Sequence, residues 1–330
     1  MDRDTVEDLW AIFGRDGVLS SRTDLRAYGY DASLDRAVPE AVVFPTATDQ
    51  VAAVMKLAGS RGIPLLPRGS GTNLSGGTIP LRGGLVVSFT RMNRVLDINL
   101  EGRQAVVEPG VLNLDLQNTL APLGYRFAPD PSSQRISSIG GNVGENSGGP
   151  HCLRYGVTAQ HVLGLEAVLA DGEVISLGEK APDQPGYNLR GLLVGSEGTL
   201  AFITRITVRL LPLPAAVETL LAPFGSVEEA SRAVSTIIAR GILPACLEMM
   251  DRVVIQAVED SLKAGYPRNA EAILLVELEG TPKALAREVV EVADLLRSEG
   301  AWEIKRTSKA EEREALWAGR RGAFSAIARV

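Results

Sequence analysis

Glycine, serine and asparagine are concentrated in one short stretch of this 330-residue sequence, PRGSGTNLSGG at Pro67–Gly77. Four glycines within residues 69–77 leave little side chain between the backbone and an approaching ligand. Glycine also adopts the positive φ angles that point successive N–H groups into one concavity, where they bind anions. The stretch therefore predicts a phosphate cradle, for a pyrophosphate; the alternative is an ordinary glycine-rich surface loop.

Two other kinds of phosphate-binding loop do not fit this stretch. A P-loop would need a lysine after Gly76, where this chain has Gly77, so the phosphate-neutralising cation is missing. A Rossmann loop would need a third glycine where Leu74 stands, and a helix directly behind it that Ser75–Pro80 cannot form. What remains is a cradle built from loop backbone alone.

Two later segments have a similar composition: PDPSSQRISSIGGNVGENSGGPHCLRYGVT at residues 129–158 and VGSEGTLAFITRITVRLLP at residues 194–212. The first has few periodic apolar residues, whereas the second is a glycine turn that leads into a β-branched strand. A long loop between strong strands is more often a binding loop than a linker. We therefore interpret residues 129–158 as a binding loop.

The elements around these segments alternate between strands and helices. Ala41–Phe44 is a strand candidate, Thr48 can cap a helix that Gly62 ends, and a short strand then leads into the glycine loop. Asp171-Gly172 between two apolar runs predicts a hairpin. Strands and helices alternate again after Pro214, which predicts an α+β fold and two domains, 1–214 and 215–330.

Composition excludes several classes of protein. The net charge of −6 argues against nucleic-acid binding, and no apolar run reaches the ~18 residues of a membrane span. The acidic start is not a signal peptide. Cys152 and Cys246 are too few and too far apart for a disulfide framework, which predicts a reducing, cytoplasmic compartment. With His151 and His161 as the two histidines, we predict no metal site.

Together the three segments resemble the FAD-binding domain of the vanillyl-alcohol-oxidase/PCMH superfamily, and in detail its glycolate oxidase FAD subunit and D-lactate dehydrogenase branch. The resemblance extends from about residue 20 to the last residue. It implies a PCMH-type FAD-binding domain of two α+β subdomains, followed by an incomplete α+β cap domain. It also implies FAD as cofactor and oxidation of a 2-hydroxy acid to the 2-keto acid, with hydride passing from Cα to flavin N5.

The resemblance further implies the cofactor-binding residues. Backbone amides of the first loop would bind the FAD diphosphate, helped by the side chains of Thr72 and Asn73. The second segment would lie along the isoalloxazine and ribityl groups, and the third would hold the adenosine end. The implied set is Arg68, Gly69, Ser70, Gly71, Thr72, Asn73, Leu74, Pro129, Ser132, Ser138, Gly141, Asn142, Gly149, Tyr155, Gly156, Glu197, Gly198 and Ile203.

Two single residues outside this set, Arg320 and His151, also need an interpretation. The segment 316–324 resembles the family motif whose arginine binds the substrate carboxylate through two parallel hydrogen bonds, which implies Arg320, with Arg321 second. The alternative is a solvated arginine pair on a helix, as we expect for Arg313. We interpret His151 as a hydrogen-bonded loop histidine; the alternatives are a covalent flavin link or a catalytic base.

Relatives of this family continue beyond the position of Val330 with a Gly-Asp-Gly-Asn-like segment, histidines that act as base or metal ligands, and an acidic partner. We expect either a truncated sequence or a short form whose active site another chain completes. Two cysteines cannot ligate an iron–sulfur cluster, so electrons would pass to an iron–sulfur subunit, an electron-transfer flavoprotein or quinone. Such a partner could hold the chain at a membrane. The alternatives are a non-catalytic FAD-holding subunit and a related sugar or alcohol oxidase.

Overall fold

The computed structural model of the chain describes residues 1–178 and 186–328, which separate into two units. Unit 1 comprises Met1–Gly148 and Val157–Pro212, and unit 2 comprises Gly149–Gly156 and Leu213–Val330. The helices are α1 (Arg3–Phe13), α2 (Arg22–Leu25), α3 (Thr48–Arg61), α4 (Asn113–Leu120), α5 (Ile139–Gly144), α6 (Cys152–Tyr155), α7 (Leu189–Leu193), α8 (Val227–Ala239), α9 (Arg252–Ser261), α10 (Pro282–Ser298) and α11 (Ala310–Ile327). The strands are β1 (Val18–Leu19), β2 (Ala41–Val43), β3 (Leu65–Arg68), β4 (Leu85–Ser88), β5 (Val95–Asn99), β6 (Gln104–Val107), β7 (Tyr125–Arg126), β8 (Val162–Val168), β9 (Val174–Gly178), β10 (Phe202–Arg209), β11 (Leu211–Pro212), β12 (Ala216–Phe224), β13 (Cys246–Asp251), β14 (Ala272–Gly280) and β15 (Lys305–Thr307).

The first sheet of unit 1 has the strand order β1-β2-β4-β3, in which β2, β4 and β3 run parallel. Parallel strands need a crossover connection, and α3 provides it between β2 and β3. The buried face of α3 comprises Val51, Val54, Met55 and Ala58, and the first three of these pack in the core of this sheet. The predicted order of strand, helix, strand and glycine loop is confirmed, and the loop begins directly after Arg68.

The start of α3 differs from the prediction. The helix begins at Thr48 with Ala47 as its N-cap residue, and no side chain caps it. The Thr48 hydroxyl instead donates to Glu166 Oε1 at 2.7 Å, so it is committed to a tertiary contact. Gly62 ends the helix in the left-handed conformation, with φ of 63°, as predicted.

The second sheet of unit 1 is antiparallel, with the order β5-β6-β10-β8-β9, and includes the predicted Asp171-Gly172 hairpin between β8 and β9. The long loop that precedes β8 is less irregular than its composition predicted, because it contains α5. Ile139 and Val143 of α5 are fully buried against this sheet. A helix of six residues is too short to show a clear apolar period, so the sequence pattern missed it.

Unit 2 is built on an antiparallel sheet of order β13-β14-β12-β15. Alternate residues of β14 serve opposite faces: Leu274, Val276 and Leu278 pack with residues of α8 and α10, whereas Ile273 and Leu275 pack with residues of α9 and α11. On the second face the apolar pattern stops at Leu275. The next two residues on that face are both glutamates, and both are buried.

These elements confirm the predicted α+β class. Across residues 1–178 and 186–328, none of the helices combines the length and the apolar content that crossing a bilayer requires.

Candidate functional site

The glycine loop after β3 presents a row of backbone N–H groups. Among the described residues, no hydrogen bond uses the N–H of residues 70–74. The loop is instead anchored from its other side, where the Asn73 carbonyl accepts from Ala32 N–H at 3.1 Å and the Asn73 amide donates to Asp31 Oδ2 at 2.7 Å. The N–H row therefore remains available to an external acceptor. One of the two predicted side-chain donors, Asn73, already holds the loop in shape.

Two adjoining depressions in unit 1, which we call the cradle, open beside this loop. Five wall residues are common to both depressions: Gly69, Thr78, Ser138, Gly141 and Glu145. Three of these, Gly69, Ser138 and Gly141, belong to the predicted cofactor-binding set. The other members of that set in the walls are Arg68, Ser70, Gly71, Thr72, Asn73, Leu74, Asn142, Glu197, Gly198 and Ile203. The structure thus brings residues of all three glycine-rich segments together, as a common site requires.

Glycines stand where the segments approach most closely. A Cβ at Gly69 would lie 2.3 Å from the hydroxyl oxygen of Ser138, so the first and second segments touch there. A Cβ at Gly198 would lie 2.1 Å from Cγ of Pro67, and Gly198 has φ of +74°, which other residues rarely adopt. These two glycines permit a closeness that any side chain would prevent.

Backbone hydrogen bonds join the second segment to the third. Gly195 N–H donates to the Val143 carbonyl and Glu197 N–H to the Gly144 carbonyl, both at 2.9 Å. The end of α5 is therefore fastened to the glycine turn before β10. The three segments form a closed set of contacts, which fixes the walls of the cradle without any ligand.

Asn142 supplies a side-chain donor to the cradle. It is 1% exposed, and its Nδ2 has no hydrogen-bond partner among the described residues. A buried amide without a partner is costly, and such groups in native proteins usually mark a ligand site or a bound water. Together with the N–H groups of residues 70–74, this donor fits a ligand rich in acceptor oxygens, such as a dinucleotide diphosphate.

Two charged residues in the cradle have shifted pKa values. Burial lowers the pKa of Arg68, an effect that the nearby carboxylate of Asp31 opposes; the guanidinium donates to Thr78 Oγ1 at 3.2 Å. Burial raises the pKa of Glu145, and the charges of Glu197 and Asp31 raise it further. Sequence reasoning missed Glu145, because its burial and its acidic neighbours arise only in the folded chain.

Five predicted cofactor-binding residues lie elsewhere than in the cradle walls. Ser132 is exposed, and its neighbour Ser133 lines the cradle instead. The carbonyl of Pro129 accepts from Asn113 Nδ2 at 2.9 Å. The remaining three belong to unit 2: Gly149, Tyr155 and Gly156. Within unit 2, the Tyr155 hydroxyl donates to Glu279 Oε2.

Arg320, the predicted ligand of a substrate carboxylate, lies on α11 and is partly exposed. Its Nε donates to Glu248 Oε2 on β13 at 2.7 Å. The guanidinium is thus already oriented by a carboxylate. Arg321, the second choice, pairs with Glu314 on the same helix.

The prediction that Arg313 is a solvated helix residue is wrong. Its side chain is 24% exposed, and Nη1 lies 3.6 Å from Glu277 Oε2. Glu277 is buried on β14 and also accepts from Trp317 Nε1 at 2.7 Å and Thr219 Oγ1 at 2.9 Å. Arg313 and Trp317 are four residues apart, so one face of α11 covers this carboxylate.

His151 also contacts Glu277. Its Nε2 lies 2.9 Å from Glu277 Oε1, in agreement with the interpretation of a hydrogen-bonded histidine. Burial raises the pKa of Glu277, but the hydrogen bond and charge of His151, followed by the Trp317 and Thr219 donors, hold it below its ordinary value. The sequence did not reveal the contact between His151 and Glu277, because α6 and β14 are more than 100 residues apart.

Two family models match the chain: "FAD binding domain" over residues 39–178 and "FAD linked oxidases, C-terminal domain" over residues 213–330. The glycolate oxidase subunit GlcD of Escherichia coli K12 is 45% identical over 314 residues, which are 95% of this chain and 63% of that protein. The GlcD of Bacillus subtilis is 41% identical over 99% of this chain and 70% of that protein. A D-lactate dehydrogenase of Anaerostipes hadrus is 33% identical over 88% of this chain and 63% of that protein.

Solved structures with a similar fold are more distant in sequence. Alkyldihydroxyacetonephosphate synthase has a TM-score of 0.83 at 21% identity, covering 100% of this chain and 64% of that one. Substrate-bound p-cresol methylhydroxylase has a TM-score of 0.81 at 19% identity, covering 95% of this chain and 68% of that one. The chain therefore spans 63–70% of the length of each of these sequence relatives and structures.

Proposed function

Since the chain belongs to the FAD-linked oxidase family that includes glycolate oxidase subunit GlcD, we propose that it oxidises a small 2-hydroxy acid to the 2-keto acid. FAD is the cofactor of this family, and the PCMH-type fold predicted from the sequence is confirmed by the likeness to p-cresol methylhydroxylase. Glycolate and D-lactate are the substrates that the names of the relatives favour.

The observation that carries the proposal is the cradle. Its free N–H row at residues 70–74 and the unpaired Nδ2 of Asn142 would hold the diphosphate oxygens of FAD. Wall residues of the third segment, Glu197 and Ile203, would contact the adenosine end. When bound, FAD supplies the hydride acceptor at N5, and the protein positions it.

Arg320 would bind the substrate through its carboxylate. In the structure Glu248 accepts one hydrogen bond from Arg320 Nε, which leaves the two Nη groups of the fork for a second carboxylate. A substrate carboxylate could therefore bind Arg320 beside Glu248 or replace it. Glu248 would hold the guanidinium in one orientation before the substrate arrives, which lowers the entropic cost of binding.

A partner protein would carry the electrons away. The relatives from Escherichia coli and Bacillus subtilis are named as subunits, so we propose a multi-subunit assembly. Because two cysteines cannot ligate an iron–sulfur cluster, such a cluster would lie outside these 330 residues. An electron-transfer flavoprotein is the second possibility. Such a partner would also decide whether the chain stays in the cytoplasm or lies at a membrane.

The test is anaerobic titration of the FAD-loaded chain with glycolate and D-lactate, followed in the visible spectrum. We expect the flavin bands to bleach with one of the two acids, because two electrons pass to the bound cofactor. Flavin that binds but stays oxidised with both acids would favour a subunit that only holds FAD. Oxygen consumption with a sugar or an alcohol would identify a related oxidase. No flavin bands after reconstitution would contradict the cradle itself.

A further inference from the structure

Unit 2 brings three metal-binding types of side chain together. One ligand atom each from His151, Glu277 and Glu279 lies within 4.8 Å of the other two. The two glutamates are 5% and 4% exposed, and the histidine side chain is 18% exposed. Surface carboxylates often cluster without consequence, but buried carboxylates do so only at a cost in desolvation and repulsion.

Two sequence periods build this cluster. Glu277 and Glu279 are alternate residues of β14, so both side chains leave the same face of the sheet. His151 and Tyr155 stand four residues apart at the two ends of α6, so both lie on one side of that turn. His151 meets Glu277, and Tyr155 meets Glu279. The strand β14 therefore positions the two glutamates, and the helical turn of α6 positions the histidine and the tyrosine that contact them.

Hydrogen bonds from surrounding residues orient the carboxylates. Trp317 and Thr219 both donate to Oε2 of Glu277, which turns Oε1 toward His151. The Tyr155 hydroxyl donates to Oε2 of Glu279. Donors that fix one carboxylate oxygen and direct the other are the usual support of metal-binding carboxylates.

The charged groups around the cluster come from several elements. Arg313 of α11 places Nη1 3.6 Å from Glu277 Oε2. Arg154 of α6 directs Nη1 to the main-chain carbonyls of Leu243 and Glu279, at 3.4 and 3.3 Å. Two carboxylates held this close repel each other, and a divalent cation between them turns that repulsion into attraction.

We propose that His151, Glu277 and Glu279 bind one first-row divalent cation of the Mn²⁺ or Zn²⁺ type. One imidazole nitrogen and two carboxylate oxygens suit these ions. Metal–ligand distances of about 2.1 Å put tetrahedral ligand atoms about 3.4 Å apart. The three ligand atoms, which lie within 4.8 Å of one another, would therefore have to approach by at most about 1.4 Å to hold one ion. Three protein ligands leave a coordination position for water or another oxygen ligand.

The test is titration of the tag-free chain with Mn²⁺ alone, after chelator treatment and exchange into metal-free buffer. Free Mn²⁺ is followed by its electron paramagnetic resonance signal. Mn²⁺ is chosen because the soft thiols of Cys152 and Cys246 compete poorly for it. We expect one equivalent to bind, Zn²⁺ to displace it, and Glu279→Gln and His151→Ala to weaken binding by at least about tenfold.

Glu218→Gln is the matched control. Glu218 lies on β12 of the same sheet opposite Leu278, on the other face, and pairs with Arg306. This variant should bind Mn²⁺ as the wild type does. If circular dichroism shows that His151→Ala does not fold, the nearly isosteric Glu279→Gln decides whether the cluster binds Mn²⁺.

Two results would overturn the proposal: no saturable binding by the wild-type chain, or equal binding by the wild type and Glu279→Gln. The experiment needs neither flavin nor substrate. A negative result would therefore leave the proposed oxidation untouched, and a failed flavin titration would leave the cation site untouched.

Discussion

Replacement of Gly69 by alanine should disturb the cradle through a single contact. The added Cβ would lie 2.3 Å from Ser138 Oγ, whereas the next nearest atoms, Cβ of Ser138 and Cα of Gly141, would lie at ordinary distances of 3.5 and 3.7 Å. Gly69 does not have a positive φ, so the substitution adds no backbone strain. Its whole effect should therefore depend on one hydroxyl group.

The Ser138 hydroxyl caps a helix, and this determines how much free energy of unfolding the substitution should cost. Ser138 Oγ accepts from Gly141 N–H at 3.1 Å and so caps α5. If the hydroxyl rotates away, the cap is lost at about 1 kcal/mol. If it stays, overpacking costs about 1–3 kcal/mol. Gly69→Ala should therefore lower the free energy of unfolding by about 1–3 kcal/mol.

A double-mutant cycle tests this explanation. Ser138→Ala alone should cost about 1 kcal/mol, through the cap. In Gly69→Ala/Ser138→Ala the clashing atom is gone, so the double variant should also cost about 1 kcal/mol instead of the sum. The free energies come from urea unfolding followed by far-UV circular dichroism at constant m-value.

Gly144→Ala is the control, because a Cβ there meets no atom within 4 Å and φ is not positive. It should change the free energy of unfolding by no more than about 0.5 kcal/mol. Additive losses in the double variant would refute the reasoning, since they would show that Ser138 Oγ is not what the new methyl group meets.

Three further predictions concern the cradle and Arg320. Asn142→Ala should weaken FAD binding about fivefold to tenfold, measured by flavin fluorescence, because one hydrogen bond of about 1 kcal/mol is lost. Arg320→Lys should raise the KM for glycolate or D-lactate about tenfold or more, with a smaller change in kcat, because the planar guanidinium fork is lost. Glu248→Gln keeps an acceptor oxygen beside Arg320 but removes the negative charge, so it should lower that KM. The folded pKa of Glu145 lies above its ordinary value of 4.5, so its charge destabilises the fold at neutral pH and the penalty fades as pH falls through the folded pKa. Glu145→Gln should accordingly have a higher melting temperature than the wild type at pH 7.5, and the difference should disappear toward pH 4.5.

The glycine loops could be read from the sequence because each depends on local chemistry. Gly62 ends α3 through its left-handed φ, and residues 69–77 form a loop because glycine and serine cannot sustain a helix there. The loops also cluster as expected, since the contacts of Gly69 and Gly198 are what those glycines make possible. Local composition therefore predicts where one backbone segment can approach another closely.

Side-chain partnerships could not be predicted in the same way. Arg313 reads as a solvated helix residue, but the turn of α11 directs it to the buried Glu277. Thr48 reads as a cap, yet Glu166, far along the chain, takes its hydroxyl. Glu277 and Glu279 alternate with apolar residues along β14, and nothing in that local pattern shows that both are buried. Each outcome depends on a neighbour distant in sequence, and local periodicity holds no information about such neighbours.

The path of the chain determines how this protein can be dissected. Because Gly149–Gly156 belongs to unit 2 while residues on both sides belong to unit 1, three peptide bonds pass between the units. A fragment that ends at Pro212 would carry His151 and Tyr155 without the carboxylates that they contact. A fragment that begins at Leu213 would expose Glu277 and Glu279. Independent folding of unit 2 should therefore require a peptide of residues 149–156 supplied in trans, or a rearranged gene that fuses it to Leu213.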